Sequence, residues 1–295
     1  MLTHQLHRKT RAGRRRWAWA GAVGALVIAV ARSTTGAPVD RPELEFPVAC
    51  QIGVNCEIQY YMDRDPGPGA KDYMCRGISL NELSTLNIRL PNLEAFRTGV
   101  DVLAAAAGRV SAIRDGMADV SIADTGEAAI KGRECGNGVV IDHPGGWQTQ
   151  YCHLQLHSLR VRVGHDVTAG AVIGQVGLSG LTEYAHLGFK TVRKGKAVDP
   201  FAPDGSETCA ASAPLWSPAA MSQLGYKRGA IIDAGFSGVE IAAHDIREGK
   251  IPPPDPESDG LIAYVTAINL EARDVLELTV VGPGVGARSS PGRSG

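Results

Sequence analysis

What is scarce in this chain of 295 residues narrows its chemistry. Aromatic residues make up only 5%, against 36 glycines and 17 prolines, a balance that suits a turn-rich β protein better than a helical bundle. The net charge is −1, which gives no reason to expect nucleic acid as a partner. There is no P-loop and no dinucleotide fingerprint, and no C-x-x-C pair of the kind a cysteine-rich zinc site uses. None of the 8 histidines is followed four positions later by aspartate. The apolar run Trp17–Ala31 stops short of the roughly 20 residues that a spanning helix prefers.

That run is nevertheless informative. Arg8, Lys9, Arg11, Arg14, Arg15 and Arg16 precede it, and it ends in Ala29-Val30-Ala31. A basic front, an apolar stretch and an A-x-A site describe a secretory signal, with an uncleaved anchor as the alternative. Either one sends the body out of the cytoplasm, to a periplasmic or extracellular address, and limits membrane contact to residues 1–31. Six cysteines agree with an oxidising compartment. Cys50 and Cys56 are close enough to staple one small loop, and Cys75 with Cys135 is expected to tie the entry segment to the sheet.

Residues 32–76, rich in Pro, Asp and Gly, read as an irregular arm held by its cysteines. Short strands with glycine-bearing turns follow, which points to an all-β, mainly antiparallel fold. Val102–Ala105 and Arg109–Ile113 flank Gly108 as a hairpin or bent strand pair, and residues 114–136 hold a short helix or an insertion. Val139–Ile141, Gln148–Leu154, Ala171–Val176 and Leu187–Val192 read as further strands. Residues 206–224 form a Pro/Ser/Ala-rich linker. In 225–282, strands at Ala230–Phe236, Gly238–Ala243, Leu261–Ala267 and Val275–Val281 are too few for a full immunoglobulin-like sandwich, so a partial β-sandwich-like domain is expected. Residues 283–295, rich in Gly, Ser and Arg, read as a disordered tail.

Two segments carry a family resemblance. Gly138–His153 reads GVVIDHPGGWQTQYCH, and Gly174–Pro200 reads GQVGLSGLTEYAHLGFKTVRKGKAVDP. Together they resemble the lysostaphin/LytM-type zinc peptidoglycan endopeptidases, over roughly residues 75 to 205. The resemblance implies a β-sheet peptidase domain, placed at 77–205. In active members a His and an Asp from His-x-x-x-Asp, and the second His of His-x-His, hold zinc. A catalytic zinc keeps one position for water, whose pKa falls to about 7. Two further histidines assist by orienting water and stabilising the oxyanion.

Carried over to this chain, the pattern is incomplete. Tyr151-Cys152-His153-Leu154 retains one assisting histidine, His153, and His186-Leu187-Gly188-Phe189 retains the other, His186. Gly188 then stands at a ligand position. The first motif has two registers. One uses Arg97 and Asp101, but the strand-turn-strand that should come later follows at once. The other uses Leu83 and Asn87, followed by Ile88-Arg89-Leu90-Pro91, the expected apolar-x-Leu-Pro exit. In that register Leu83, Asn87 and Gly188 replace His, Asp and His. Neither Leu83 nor Gly188 offers a donor atom, and a neutral amide is a poor zinc ligand. With each ligand worth on the order of 3 kcal/mol, tight zinc binding is not expected, and no cofactor is assigned.

Other chemistry finds less support. His157, four residues after His153, falls where a strand ends in a turn, so the two rings should not meet. His143 beside Pro144-Gly145-Gly146 fits a structural or exposed role, and His165 carries no motif. Glu248 lies four residues after His244, in a region expected to be loop. Ser179 lacks the nucleophile-elbow spacing and reads as part of a tight turn. Cys152 and His153, adjacent on a strand, should face opposite ways, which argues against a Cys-His pair. The expected function is therefore a non-catalytic cell-wall module that binds peptidoglycan stem peptides or a cell-wall hydrolase. An active zinc endopeptidase is the alternative, and a decayed gene product is the third reading.

Overall fold

The computed structural model describes residues 41–282 and the backbone of 285–292. The N-terminal segment 1–31, read above as a signal or anchor, lies outside the described residues. Among the described residues no helix is long and apolar enough to cross a membrane.

The chain is mainly antiparallel β. In order its strands are β1 Glu57–Tyr60, β2 Leu86–Arg89, β3 Asp101–Leu103, β4 Gly108–Arg114, β5 Asn137–His143, β6 Trp147–Leu154 and β7 Asp166–Val167. They continue with β8 Val172–Gln175, β9 His186–Arg193, β10 Lys196–Val198, β11 Ala230–Ser237, β12 Ile262–Ile268, β13 Leu276–Gly282 and β14 Val285–Gly292. The main sheet runs β1-β2-β9-β6-β5-β4-β7, with β10 joined to β9. Period-2 alternation gives it two faces. Leu86 and Ile88 of β2, Leu187 and Phe189 of β9, Tyr151 of β6 and Val139 and Ile141 of β5 share the core face, all buried. Each such side chain stabilises by roughly 1.5–3 kcal/mol through burial. The opposite face of β2, β9 and β6 carries the candidate site.

The expected hairpin around Gly108 does not form. β3 pairs with β8, and β4 pairs with β5 and β7. Gly108 turns the chain between the two sheets where a Cβ would stand 2.4 Å from the Asp142 carbonyl, so only glycine fits. Residues 114–136 contain two short helical turns, Ile122–Thr125 and Glu127–Ile130.

Three disulfides join Cys50 to Cys56, Cys75 to Cys209 and Cys135 to Cys152. The expected Cys75–Cys135 pairing is replaced because Cys135 lies against β6, where its carbonyl accepts the His153 N–H at 2.8 Å. Cys152 is its neighbour there, with Cα atoms 4.8 Å apart. Cys75 instead ties the arm to the segment after the sheet. The same junction gathers Tyr61, Tyr73, Phe201 and Tyr226, with Tyr73 stacked on Phe201 at 4.4 Å. Four of the 16 aromatic residues thus pack together where the arm meets the body.

The C-terminal part consists of two antiparallel ribbons, β11–β12 and β13–β14. The strand expected at Gly238–Ala243 is absent, and Ala243–Glu248 is a helix. Asp245 accepts the Ala242 N–H at 2.8 Å, and Gly249 ends the helix in the left-handed conformation. Where the tail was expected to be disordered, the backbone of Val285–Gly292 pairs with β13. Polar contacts dock the β11–β12 ribbon and the segment before it on the body: Asn92 to Asp233 at 3.0 Å, Asn269 to the Gln59 carbonyl at 2.8 Å and Lys227 to Glu57 at 2.7 Å.

Candidate functional site

The site lies where β2, β9 and β6 run side by side. Asn87 stands directly opposite Gly188, and Gly188 directly opposite Cys152. Together with Leu83, His153 and His186, Asn87 and Cys152 line one groove of about 740 Å³. Positions read from two distant stretches of sequence therefore meet on one face of three adjacent strands.

His153 reaches this face through a break in the strand. By alternation it should follow Tyr151 into the core. Instead its φ is +64°, a left-handed conformation uncommon outside glycine. On β5 only Gly138 lies between the residues paired with Tyr151 and Leu154, whereas β6 has both Cys152 and His153 there. This is a β-bulge, and it turns Cys152 and His153 to the same side. The expectation that they face opposite ways is corrected. A left-handed non-glycine residue costs on the order of 1–3 kcal/mol, and the surroundings hold it. The Cys135–Cys152 disulfide and the bond from the His153 N–H to Cys135 fix the backbone. Gly138 makes room, since a Cβ there would stand 2.6 Å from the Tyr151 carbonyl. Cys152, being disulfide-bonded, is no nucleophile.

Hydrogen bonds set the tautomers of both imidazoles. His153 Nδ1 lies 2.8 Å from the Ser179 carbonyl, and a carbonyl only accepts, so Nδ1 carries the proton. His186 Nδ1 lies 3.0 Å from both the Tyr184 carbonyl and Thr182 Oγ1. The Thr182 hydroxyl gives its own proton to the Tyr184 carbonyl at 2.7 Å, so His186 Nδ1 is again the donor. Each neutral ring keeps its lone pair on Nε2. The ring centroids are 4.5 Å apart. Burial holds the His153 pKa down at about 4, against the pull of the Ser179 bond. Burial, then the adjacent His153 ring, holds His186 well below its ordinary value. Both are uncharged at neutral pH.

A three-ligand zinc site does not fit these residues. Among the described residues no three of His, Cys, Asp and Glu are grouped closely enough to hold a metal. Gly188 offers nothing, and the space beside it is taken. A Cβ there would stand 2.9 Å from His153 Cδ2 and 3.2 Å from His153 Nε2. Asn87 Oδ1 accepts from Thr85 Oγ1 at 2.7 Å, so the amide is engaged within the groove wall.

The other expected residues lie elsewhere. Asp101 sits on β3 and accepts from Gln175 Nε2 at 3.2 Å, away from the groove. His143 is buried and structural, bridging the Ala107 carbonyl and Thr149 Oγ1 at 2.8 Å each. His157 is exposed beside Asp115. His244 and Glu248 share a helix where loop was expected, and Glu248 pairs with Arg97 and Lys250. Ser179 is fully buried and not a bare turn residue. Its hydroxyl donates to the Leu154 carbonyl at 2.8 Å and accepts from the Asn137 N–H at 2.9 Å, while its carbonyl orients His153. Ser179 and Thr182 were not assigned as positioning residues from the sequence. Their only signal was a place in the segment between the two histidines.

Residues 95–200 match Peptidase family M23. The match begins after Leu83 and Asn87, so those two positions rest on the geometry above. Among solved structures, similarity extends to a zinc-containing peptidase from Vibrio cholerae, at 21% identity and a TM-score of 0.37. It covers 54% of this chain and 39% of that one, so well under half of that protein's length is matched. The catalytic domain of the prophage-encoded M23 protein EnpA from Enterococcus faecalis is similar at 18% identity and TM-score 0.35, over 53% of this chain and 95% of that one. The catalytic domain of lysostaphin from Staphylococcus simulans is similar at 19% identity and TM-score 0.32, over 49% and 88%.

Proposed function

Starting from a chain that matches Peptidase family M23 over residues 95–200, we propose that it is a non-catalytic cell-wall module. In this reading the groove around His153 and His186 binds peptidoglycan stem peptides without cutting them, or presents the same surface to a cell-wall hydrolase. The observation that carries it is the Asn87–Gly188 pair. These positions lie opposite each other, where the family resemblance calls for Asp and His, and neither supplies a zinc ligand. His153 and His186 would be the family's assisting histidines, retained with no metal-bound water to orient. The basic and apolar N-terminal segment supports export to the periplasm or beyond, with or without cleavage.

Metal analysis of the purified full chain, paired with incubation on cross-linked peptidoglycan, tests this. The expected result is no stoichiometric zinc, retention on peptidoglycan and no released fragments. One tightly held zinc per chain with cleavage of cross-links would overturn it in favour of an active endopeptidase.

A further inference from the structure

Two buried acceptors at the base of the groove have no donor among the described residues. His153 and His186 are each more than nine-tenths buried, each spends its proton on a backbone carbonyl, and each lines the groove. Among the described residues neither Nε2 has a hydrogen-bond partner. His153 Nε2 lies 3.2 Å from where a Gly188 Cβ would be, so the His153 ring occupies the place of the missing side chain on the groove floor. Around this floor stand four exposed glutamates, Glu82, Glu127, Glu134 and Glu183, with Lys190 the one cationic side chain in the lining. None of the four is in a direct ion pair among the described residues. Two unpartnered lone pairs thus lie at the bottom of a basin whose lining carries four glutamates against one lysine, with Arg114 and Lys131 near Glu134 and Arg89 near His186.

Extending the proposed peptide-binding role, on which this inference rests, we infer that the groove seats the free primary ammonium group of a peptide against His153 Nε2 and His186 Nε2. Glu82, Glu127, Glu134 and Glu183 supply the attracting field. An ammonium carries three N–H donors and no acceptor, which complements two imidazole lone pairs. Its bonds are charge-assisted, and acidic walls raise its local concentration. An amide or hydroxyl could meet the lone pairs but would gain nothing from the rim. A metal ion would gain from the rim but lacks its ligands. The ligand class is a lysine-type or other diamino-acid peptide, held by hydrogen bonds at a place without metal ligands.

Calorimetric titration of the full chain at neutral pH tests the seat. The probe is L-Ala-γ-D-Glu-L-Lys-D-Ala with its N-terminus acetylated, and the comparison peptide is the same with the lysine amine acetylated too. Acetylation is expected to weaken binding by about tenfold or more. Glu127→Gln with Glu183→Gln, both on the exposed rim, should reduce the affinity of the free-amine peptide several-fold and leave the acetylated one unchanged. Added salt should narrow the difference between the two peptides. Equal binding of both peptides overturns the ammonium seat and leaves the peptide groove standing. A preference for the free amine that survives the double glutamine variant also overturns it, because the amine is then recognised elsewhere. If neither peptide binds while intact peptidoglycan still retains the chain, the seat falls and the wall-binding role stands. If peptidoglycan is not retained either, both fall together.

Discussion

Strands β9 and β12 are of nearly equal length, 8 and 7 residues, and both pair antiparallel, yet their surroundings differ sharply. β9 has β2 and β10 along one side and β6 along the other, and its residues are buried on both faces over most of its length. Among the described residues β12 pairs only with β11, and Ile268 is its single buried residue. In β9 every position has a neighbour that constrains it, so a glycine in place of a larger residue leaves a readable mark. In β12 few positions are constrained, and the residue pattern says little.

The largest expected effect would refill that mark. The triple variant Leu83→His, Asn87→Asp, Gly188→His restores three ligands at on the order of 3 kcal/mol each, enough for a zinc dissociation constant of about 1 µM or below. His153 must swing aside first, because its ring fills the space beside Gly188. Gly188→His alone should therefore destabilise the fold without creating zinc affinity. Competition with a chromophoric chelator reads the affinity. A folded triple variant without zinc would show that Leu83 and Asn87 are the wrong positions.

Next in size is the contrast in core burial. Leu187→Ala removes a side chain that is 0% exposed beneath the groove and should cost about 2–5 kcal/mol in urea unfolding. A loss under 1 kcal/mol would mean that the sheet is not covered on that face.

The crowded region was also the more legible in sequence, though not evenly. Strand alternation and the His-x-Gly segment locate β6 and β9, and the Leu-Pro exit locates β2, because each signal is local. Proximity in sequence favours β4 as the partner of β3, whereas its partner β8 lies about 70 residues on. The bulge at His153 is one inserted residue, and no period shows it. Disulfide pairing depends on which strands meet, which the spacing of six cysteines leaves open. Beyond Ala230, apolar residues in runs of strand length were counted as strands, but Ile241 leads into a helix and residues 285–292 pair without an apolar pattern. With little to bury, local turn and cap chemistry decided those elements.

Acid should separate the two regions further. The His153 imidazole has an ordinary pKa of 6.5, held at about 4 in the fold. Above pH 6.5 it is neutral in both states and has no effect. As pH falls toward 4 the unfolded chain takes up a proton that the folded chain refuses, so stability drops, by about 3 kcal/mol at most. His186 and His143, also depressed by burial, act in the same direction. Asp199, raised by burial to about 6, acts in the opposite one, since below that value the fold holds a proton the unfolded chain releases. His153→Asn isolates the term, because asparagine tolerates the left-handed backbone and does not titrate. Its stability at pH 5 relative to pH 7 should fall less than that of the parent; equal slopes would mean that His153 is solvated.

A smaller effect tests the wall that orients His153. Ser179→Ala leaves the Asn137 N–H and one acceptor site on the Leu154 carbonyl without their partner and should cost about 1–3 kcal/mol. The Nδ1 bond of His153 goes to the Ser179 backbone, so the tautomer should survive, and nitrogen NMR of the imidazole would show it unchanged. Loss of the Nδ1-protonated form would mean that the hydroxyl, not the carbonyl, sets the ring.

The smallest effect belongs to the ribbons. Ile231 on β11 and Val281 on β13 are 55% and 73% exposed, with little apolar surface to lose on substitution. Ile231→Ser and Val281→Ser should each stay within about 0.5 kcal/mol of the parent in urea unfolding. An isolated two-stranded ribbon is marginal in water, so β11–β12 depends on its polar docking to the body. Asn269→Asp keeps a residue that tolerates the left-handed backbone there (φ +55°) but removes the donor to the Gln59 carbonyl, and should loosen β12 more than either apolar change, read as faster amide exchange along Ile262–Ile268. If Ile231→Ser has the larger effect, and it grows with protein concentration, the apolar side of the ribbon is covered in solution. The contrast between β9 and β12 would then belong to the isolated chain alone.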